Sequence, residues 1–74
     1  MKKLTKAETK RLVICRERAF DLLYRCEELA DILARREWPE YESVIIESRH
    51  VAELHRLLES CEKKVFEANR ENAS

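Results

Sequence analysis

Arg35-Arg36-Glu37-Trp38-Pro39-Glu40-Tyr41 is the stretch that decides the fold of this chain. Pro39 is the one proline in 74 residues, and it stands close to the midpoint. No glycine occurs anywhere, where average usage would place about five. Glycine supplies the left-handed positions that tight turns and helix ends use. Without it the chain has few places to reverse. Pro39 pushes Trp38 toward an extended conformation. It also suits the first position of a new helix, where a backbone amide would go unused. Glu40 and Glu42 then fall at the favourable end of that helix's dipole, and Arg35 and Arg36 at the favourable end of the preceding one. The stretch predicts one reversal between two long helices, near residues 5–37 and 39–70, with a polar tail at 71–74.

Toward the N-terminus, Thr5-Lys6-Ala7-Glu8 has the form of a capping box. From there Leu12, Cys15, Ala19, Leu22, Cys26, Leu29 and Leu33 recur at alternating spacings of three and four, the pattern of a coiled-coil seam. Asp21–Arg25 and Asp31–Arg35 are i,i+4 pairs in the favourable acid-first order. After Pro39 the seam resumes at Val44 and continues through Val51, Leu54, Leu58, Cys61, Val65 and Ala68, broken only by Glu47. Folding the chain at residue 40 sets Leu22 against Leu58 and Leu29 against Val51.

The seam leaves apolar residues over. Val13, Phe20 and Leu23 form a second stripe beside it on the first helix, and Ile45, Ala52 and Phe66 do so on the second. Two helices cannot enclose a core alone. A chain this short would bury only about 60–65% of its unfolded surface, and small scaffolds usually add a disulfide, a metal or a partner. The surplus therefore points to self-association or a helical protein partner, and the second stripe is the candidate contact surface.

Composition narrows the function. Fifteen basic and fifteen acidic residues leave a formal net charge of zero, which argues against a general nucleic-acid or membrane-surface binder. No apolar run approaches the roughly 20 residues that span a bilayer, and the basic start Met1-Lys2-Lys3 lacks the apolar stretch of a signal peptide. The expected location is the cytoplasm. Three cysteines, an odd number without short spacings, make no disulfide framework. They are expected to be buried in the seam as small hydrophobes, with Arg16 and Arg18 pointing elsewhere. His50 and His55 project about 140° apart on a helix, unlike the i,i+4 spacing of helical zinc sites. No glycine-rich phosphate loop is present. The chain offers no catalytic, metal or cofactor motif, and the reading is non-enzymatic. Arg49, Arg56, Lys63 and Arg70 recur every seven residues. A phosphate-tracking ridge would have that spacing, but Glu53, Glu59 and Glu67 lie beside it, as on a solvated face.

Pro39-Glu40-Tyr41, Glu47-Ser48-Arg49 and Leu54, Leu57 and Leu58 carry a resemblance. Over about residues 35–58 the chain looks like the small helical co-chaperones of type III secretion needle subunits. The resemblance implies a two-helix protein that pairs with a helical-repeat chaperone to keep a needle subunit soluble, and it adds Tyr41 to the contact surface. The expected fold is all-α, an antiparallel two-helix hairpin with a coiled-coil-like seam, completed by self-association or a helical partner. The expected function is protein binding by a small co-chaperone or adaptor through Phe20, Leu23, Tyr41, Ile45, Ala52 and Phe66. The alternatives are a homo-oligomeric RNA-binding regulator and a phage anti-defence inhibitor protein.

Overall fold

A computed structural model describes residues 3–73. The chain is an all-α hairpin of two packed helices, α1 (Lys6–Arg35) and α2 (Tyr41–Ala73). It forms a rod of 56 × 16 × 16 Å. Helix α2 continues through 71–73, where the composition suggested a polar tail; Ser74 lies outside the described residues. No helix among the described residues is long and apolar enough to cross a membrane.

The start of α1 is the capping box. The Glu8 amide donates to Thr5 Oγ1 at 3.1 Å, and the Thr5 amide donates to Glu8 Oε1 at 2.8 Å. Two otherwise orphaned donors are thereby satisfied. Along the exposed side of α1, Arg25 pairs with Asp21 at 3.0 Å and Arg35 with Asp31 at 2.8 Å. These exposed pairs each contribute a few tenths of a kcal/mol, on the order of 0.3–0.5.

The end of α1 uses a glycine-type cap without glycine. The Trp38 amide donates to the Leu33 carbonyl at 3.0 Å and the Glu37 amide to the Ala34 carbonyl at 3.1 Å. That pair of bonds is a Schellman motif with Arg36 as C-cap. Its next residue must be left-handed, and Glu37 has φ 58°. It is the one non-glycine positive φ among the described residues. Trp38 and Pro39 then accept from the amides of Tyr41 and Glu42 at 3.2 and 3.3 Å. These i→i+3 bonds place Pro39 in a tight first turn, and the first i→i+4 bond, from Val44 to Glu40, opens α2.

The seam differs from the sequence expectation by a rotation. Leu12, Ala19, Cys26 and Leu33 face α2, as anticipated. Their companions are Arg16, Leu23 and Ala30, each half-buried, while Cys15, Leu22 and Leu29 are exposed. On α2, Val44, Val51, Leu58 and Val65 are half-buried together with Tyr41, Ser48, His55 and Glu62, while Leu54, Cys61 and Glu47 are exposed. Taking the i+4 neighbour instead of the i+3 neighbour turns each helix by about 50°. The physical reason is the width of the apolar arc. On α1 four adjacent lines carry apolar residues: Cys15/Leu22/Leu29, then Leu12/Ala19/Cys26/Leu33, then Leu23/Ala30, then Val13/Phe20/Ala34. On α2 the corresponding lines are Leu54/Cys61, then Val44/Val51/Leu58/Val65, then the largely polar Tyr41/Ser48/His55/Glu62, then Ile45/Ala52/Phe66. The seam takes the two central lines of each arc.

Two expectations fall with that rotation. Cys15 and Cys61 are exposed and only Cys26 is half-buried. Arg16 points into the seam and pairs with Glu62. Glu47 stands in solvent beside His50, 3.4 Å away. The Arg16–Glu62 and Phe20–His55 contacts across the seam centre the reversal within residues 37–39, slightly before the expected residue 40.

Glu37 gives the first test. A left-handed conformation costs an ordinary residue roughly 1–2 kcal/mol, and glycine avoids most of it. Glu37→Gly should therefore stabilise the hairpin by about 1 kcal/mol. Thermal denaturation at fixed concentration should show Tm rising by roughly 4–8 °C. A fall in Tm would show that Glu37 is not held in the left-handed region.

Candidate protein-binding faces

The hairpin has almost no interior. Ala19, at 6% exposure, is the one buried hydrophobic residue among those described. Among the described residues thirteen large hydrophobic side chains are exposed, more than line the seam. The accessible surface is 6624 Å². A compact monomer of 8.9 kDa would have about 4,800 Å², and its unfolded chain about 13,000 Å². The hairpin thus buries about half of its unfolded surface, less than the fraction expected for its length.

The exposed apolar residues are sorted by the seam into two faces. A centred seam leaves one apolar line on each side of each helix, and antiparallel packing brings like sides together. One face carries Cys15, Leu22 and Leu29 of α1 with Leu54 and Cys61 of α2, flanked by Ile32 and Leu57. Leu22 and Leu54 are each 50% exposed. This leucine face is formed by residues that sequence periodicity assigns to the seam.

The opposite, aromatic face carries most of the expected contact residues. Phe20 is 58% and Phe66 62% exposed. Ile45 is exposed and Ala52 half-buried between them and the seam. Leu23 and Tyr41 are half-buried in the seam line and do not belong to the outer stripe. The Phe20 ring lies 5.6 Å from the His55 ring, tilted by 48°. His55 Nδ1 sits 3.2 Å from Glu59 Oε1. Glu59, Glu62, Lys63 and Phe66 surround a shallow depression with Arg16. Phe20, Leu23, Tyr24 and Glu27 line a second one. Phe20, His55, Glu59 and Phe66 thus form a continuous surface across both helices.

Polar residues hold the seam beneath this face. Arg16 donates to the Glu62 carboxylate, with their side chains 29% and 14% exposed. His55 is largely covered, and its Nε2 is buried without a hydrogen-bond partner. Sequence reasoning missed Arg16, His55 and Glu62 because it sought apolar residues at seam positions. The legible signal was their spacing: 48, 55 and 62 recur every seven residues beside 51, 58 and 65. Arg49, Arg56 and Lys63 are exposed along the outer edge of the aromatic face; Arg70 lies outside the residues whose side chains are described. No group of three or more histidine, cysteine, aspartate or glutamate residues among those described is arranged to hold a metal.

The ion pair can be tested by a double-mutant cycle. Removing one member leaves a partly buried charge uncompensated, so Glu62→Leu alone should destabilise by about 1–2 kcal/mol. Adding Arg16→Leu should recover that loss and bring stability to the native level or above. Urea denaturation of the four proteins measures it. Additive losses from the two substitutions would show that the side chains do not interact.

Comparison with known proteins finds no matching family model, no matching curated protein and no matching solved structure.

Proposed function

We propose that this chain is a non-enzymatic protein-binding hairpin, an adaptor or small co-chaperone that forms the middle layer of a larger helical assembly. The observation carrying this reading is the surplus surface. The hairpin exceeds the compact scale for its mass by about 1,800 Å². A flat face of 56 × 16 Å is about 900 Å², close to one partner's share of a standard interface, roughly 800 Å². Covering both faces would remove about the whole excess. Apolar patches of this extent mark interaction surfaces, and a helix's apolar stripe is ordinarily about 100° wide, half the arc found here.

The hairpin form and the resemblance over residues 35–58 support a narrower version. In it the partner is a helical-repeat chaperone and the complex shields a secretion needle subunit in the cytoplasm. The RNA-binding alternative draws on the heptad ridge Arg49, Arg56, Lys63 and Arg70, beside which Glu53, Glu59 and Glu67 fall in the sequence.

Site-specific photocrosslinking in the native cell tests the reading. A benzophenone side chain is placed at Leu22, Leu54, Phe20 or Phe66, and at Glu53 or Ser60 on the outer surface of α2. Face positions should give discrete protein adducts, and the two outer positions should give few. Equal yields at all six positions, or none at any, would contradict a protein-binding role.

A further inference from the structure

We infer that the aromatic face is the docking surface for a second copy of this chain, paired about a two-fold axis parallel to the rod. The inference rests on the protein-binding reading and assigns one of the two faces. Its basis is the charge on the two long edges of that face. On α1 the edge carries Lys10, Glu17, Tyr24 and Asp31, spaced by seven. On α2 it carries Glu42, Arg49, Arg56 and Lys63, also spaced by seven, and all eight are exposed. Past Lys10 and Glu42 at the two ends, one face is thus bordered by an acidic and aromatic edge on one side and a basic edge on the other.

A two-fold axis along the rod lays α1 of one copy over α2 of the other, antiparallel, with both turns at the same end. The acidic edge then meets the basic edge twice. The two contacts across the seam bracket the register: Arg16–Glu62 mirrors positions about Pro39, and Phe20–His55 mirrors them between Glu37 and Trp38. Lys63, Arg56 and Arg49 then lie two to five residues beyond the levels of Glu17, Tyr24 and Asp31, about 3–8 Å along the axis and within reach of long side chains. Glu17 meets Lys63 of the second copy, and Asp31, which also pairs with Arg35 of its own helix, meets Arg49. The Tyr24 ring meets the Arg56 guanidinium, a cation–π partner.

Between the edges lie Phe20, Ile45, Ala52 and Phe66. Glu59, which interrupts that stripe, lies 3.2 Å from His55 Nδ1, and Glu27 is within reach of Arg49 of the second copy. Turning one copy end over end instead would lay α1 on α1 and bring acidic edge to acidic edge. The pattern therefore selects one dimer. The basic ridge is its complementary border, and the leucine face stays open for a different protein.

Charge reversal at the edges tests this, with mass read by sedimentation equilibrium and folding by circular dichroism. The native chain should sediment at twice its 8.9 kDa. Glu17→Lys with Asp31→Lys, or Arg49→Glu with Lys63→Glu, should raise the dimer dissociation constant by roughly tenfold or more, with helicity unchanged. All four substitutions together should restore the dimer. Phe66→Asp, on the stripe and outside the seam, should give a helical monomer, an outcome independent of the charge swap. A native chain that is monomeric at every concentration overturns the proposal. So does a dimer that ignores the edges but is lost with Leu22→Asp and Leu54→Asp, which assigns the second copy to the leucine face. An unchanged mass with loss of retention on immobilised RNA in the Arg49→Glu, Lys63→Glu variant overturns it in favour of RNA. Each of these outcomes can occur while position-specific crosslinks to other proteins persist, so failure of the dimer is separable from failure of protein binding.

Discussion

Two helices can give each other only one line of contact. That geometric limit shapes everything else in this protein. A seam of two heptad lines per helix covers about 100° of each circumference, and the apolar arc here is about twice as wide. The central placement of the seam leaves apolar surface on both sides of the rod. Had the seam taken one border of the arc, the hairpin would have had one apolar face and one polar face. Instead it resembles a layer cut from a larger core, with Ala19 as the one place among the described residues where that core is closed. Domains are ordinarily built from two or three packed layers; this chain supplies one.

The seam's polar residues fit that role. Arg16, Ser48, His55 and Glu62 contribute less apolar burial than leucines would. A half-buried ion pair is weak evidence for stability, but it can fix register between helices. Arg16 and Glu62 tie α1 and α2 at one level far from the turn, and the Schellman cap at Glu37 fixes them at the other end. Two anchors set the alignment of the edges, and with it the alignment of the charges that a second copy would meet. The more apolar Leu22, Leu29 and Leu54 remain on the surface, where leucine burial can drive association.

Much of the fold was legible. The absence of glycine, the single proline and the capping box predict two helices, their start and their reversal. The central lines Leu12/Ala19/Cys26/Leu33 and Val44/Val51/Leu58/Val65 were also readable, since both possible seams contain them. The second line of each seam was not. Leu22 and Leu23 are chemically alike and one residue apart, and hydrophobicity favours Cys15/Leu22/Leu29 over Arg16/Leu23/Ala30. Periodicity reports that a residue is destined for burial, without saying whether its own hairpin or another chain will bury it. Phe20, Ile45 and Phe66 were legible as surface residues because they lie outside either seam. Leu23 and Tyr41 were not, because their place depends on the rotation. The left-handed Glu37 left no trace in composition, since glycine is the usual signal and is absent.

The choice of seam is the central claim, and the protein carries its own probes for it. Cys15 and Cys61 stand on the leucine face and Cys26 in the central line. A small thiol reagent applied to the native protein, with modification resolved peptide by peptide by mass spectrometry, reads all three at once. The account predicts rapid modification of Cys15 and Cys61 and much slower modification of Cys26. Equal protection of all three cysteines would place the seam along Cys15, Leu22 and Leu29 and contradict it.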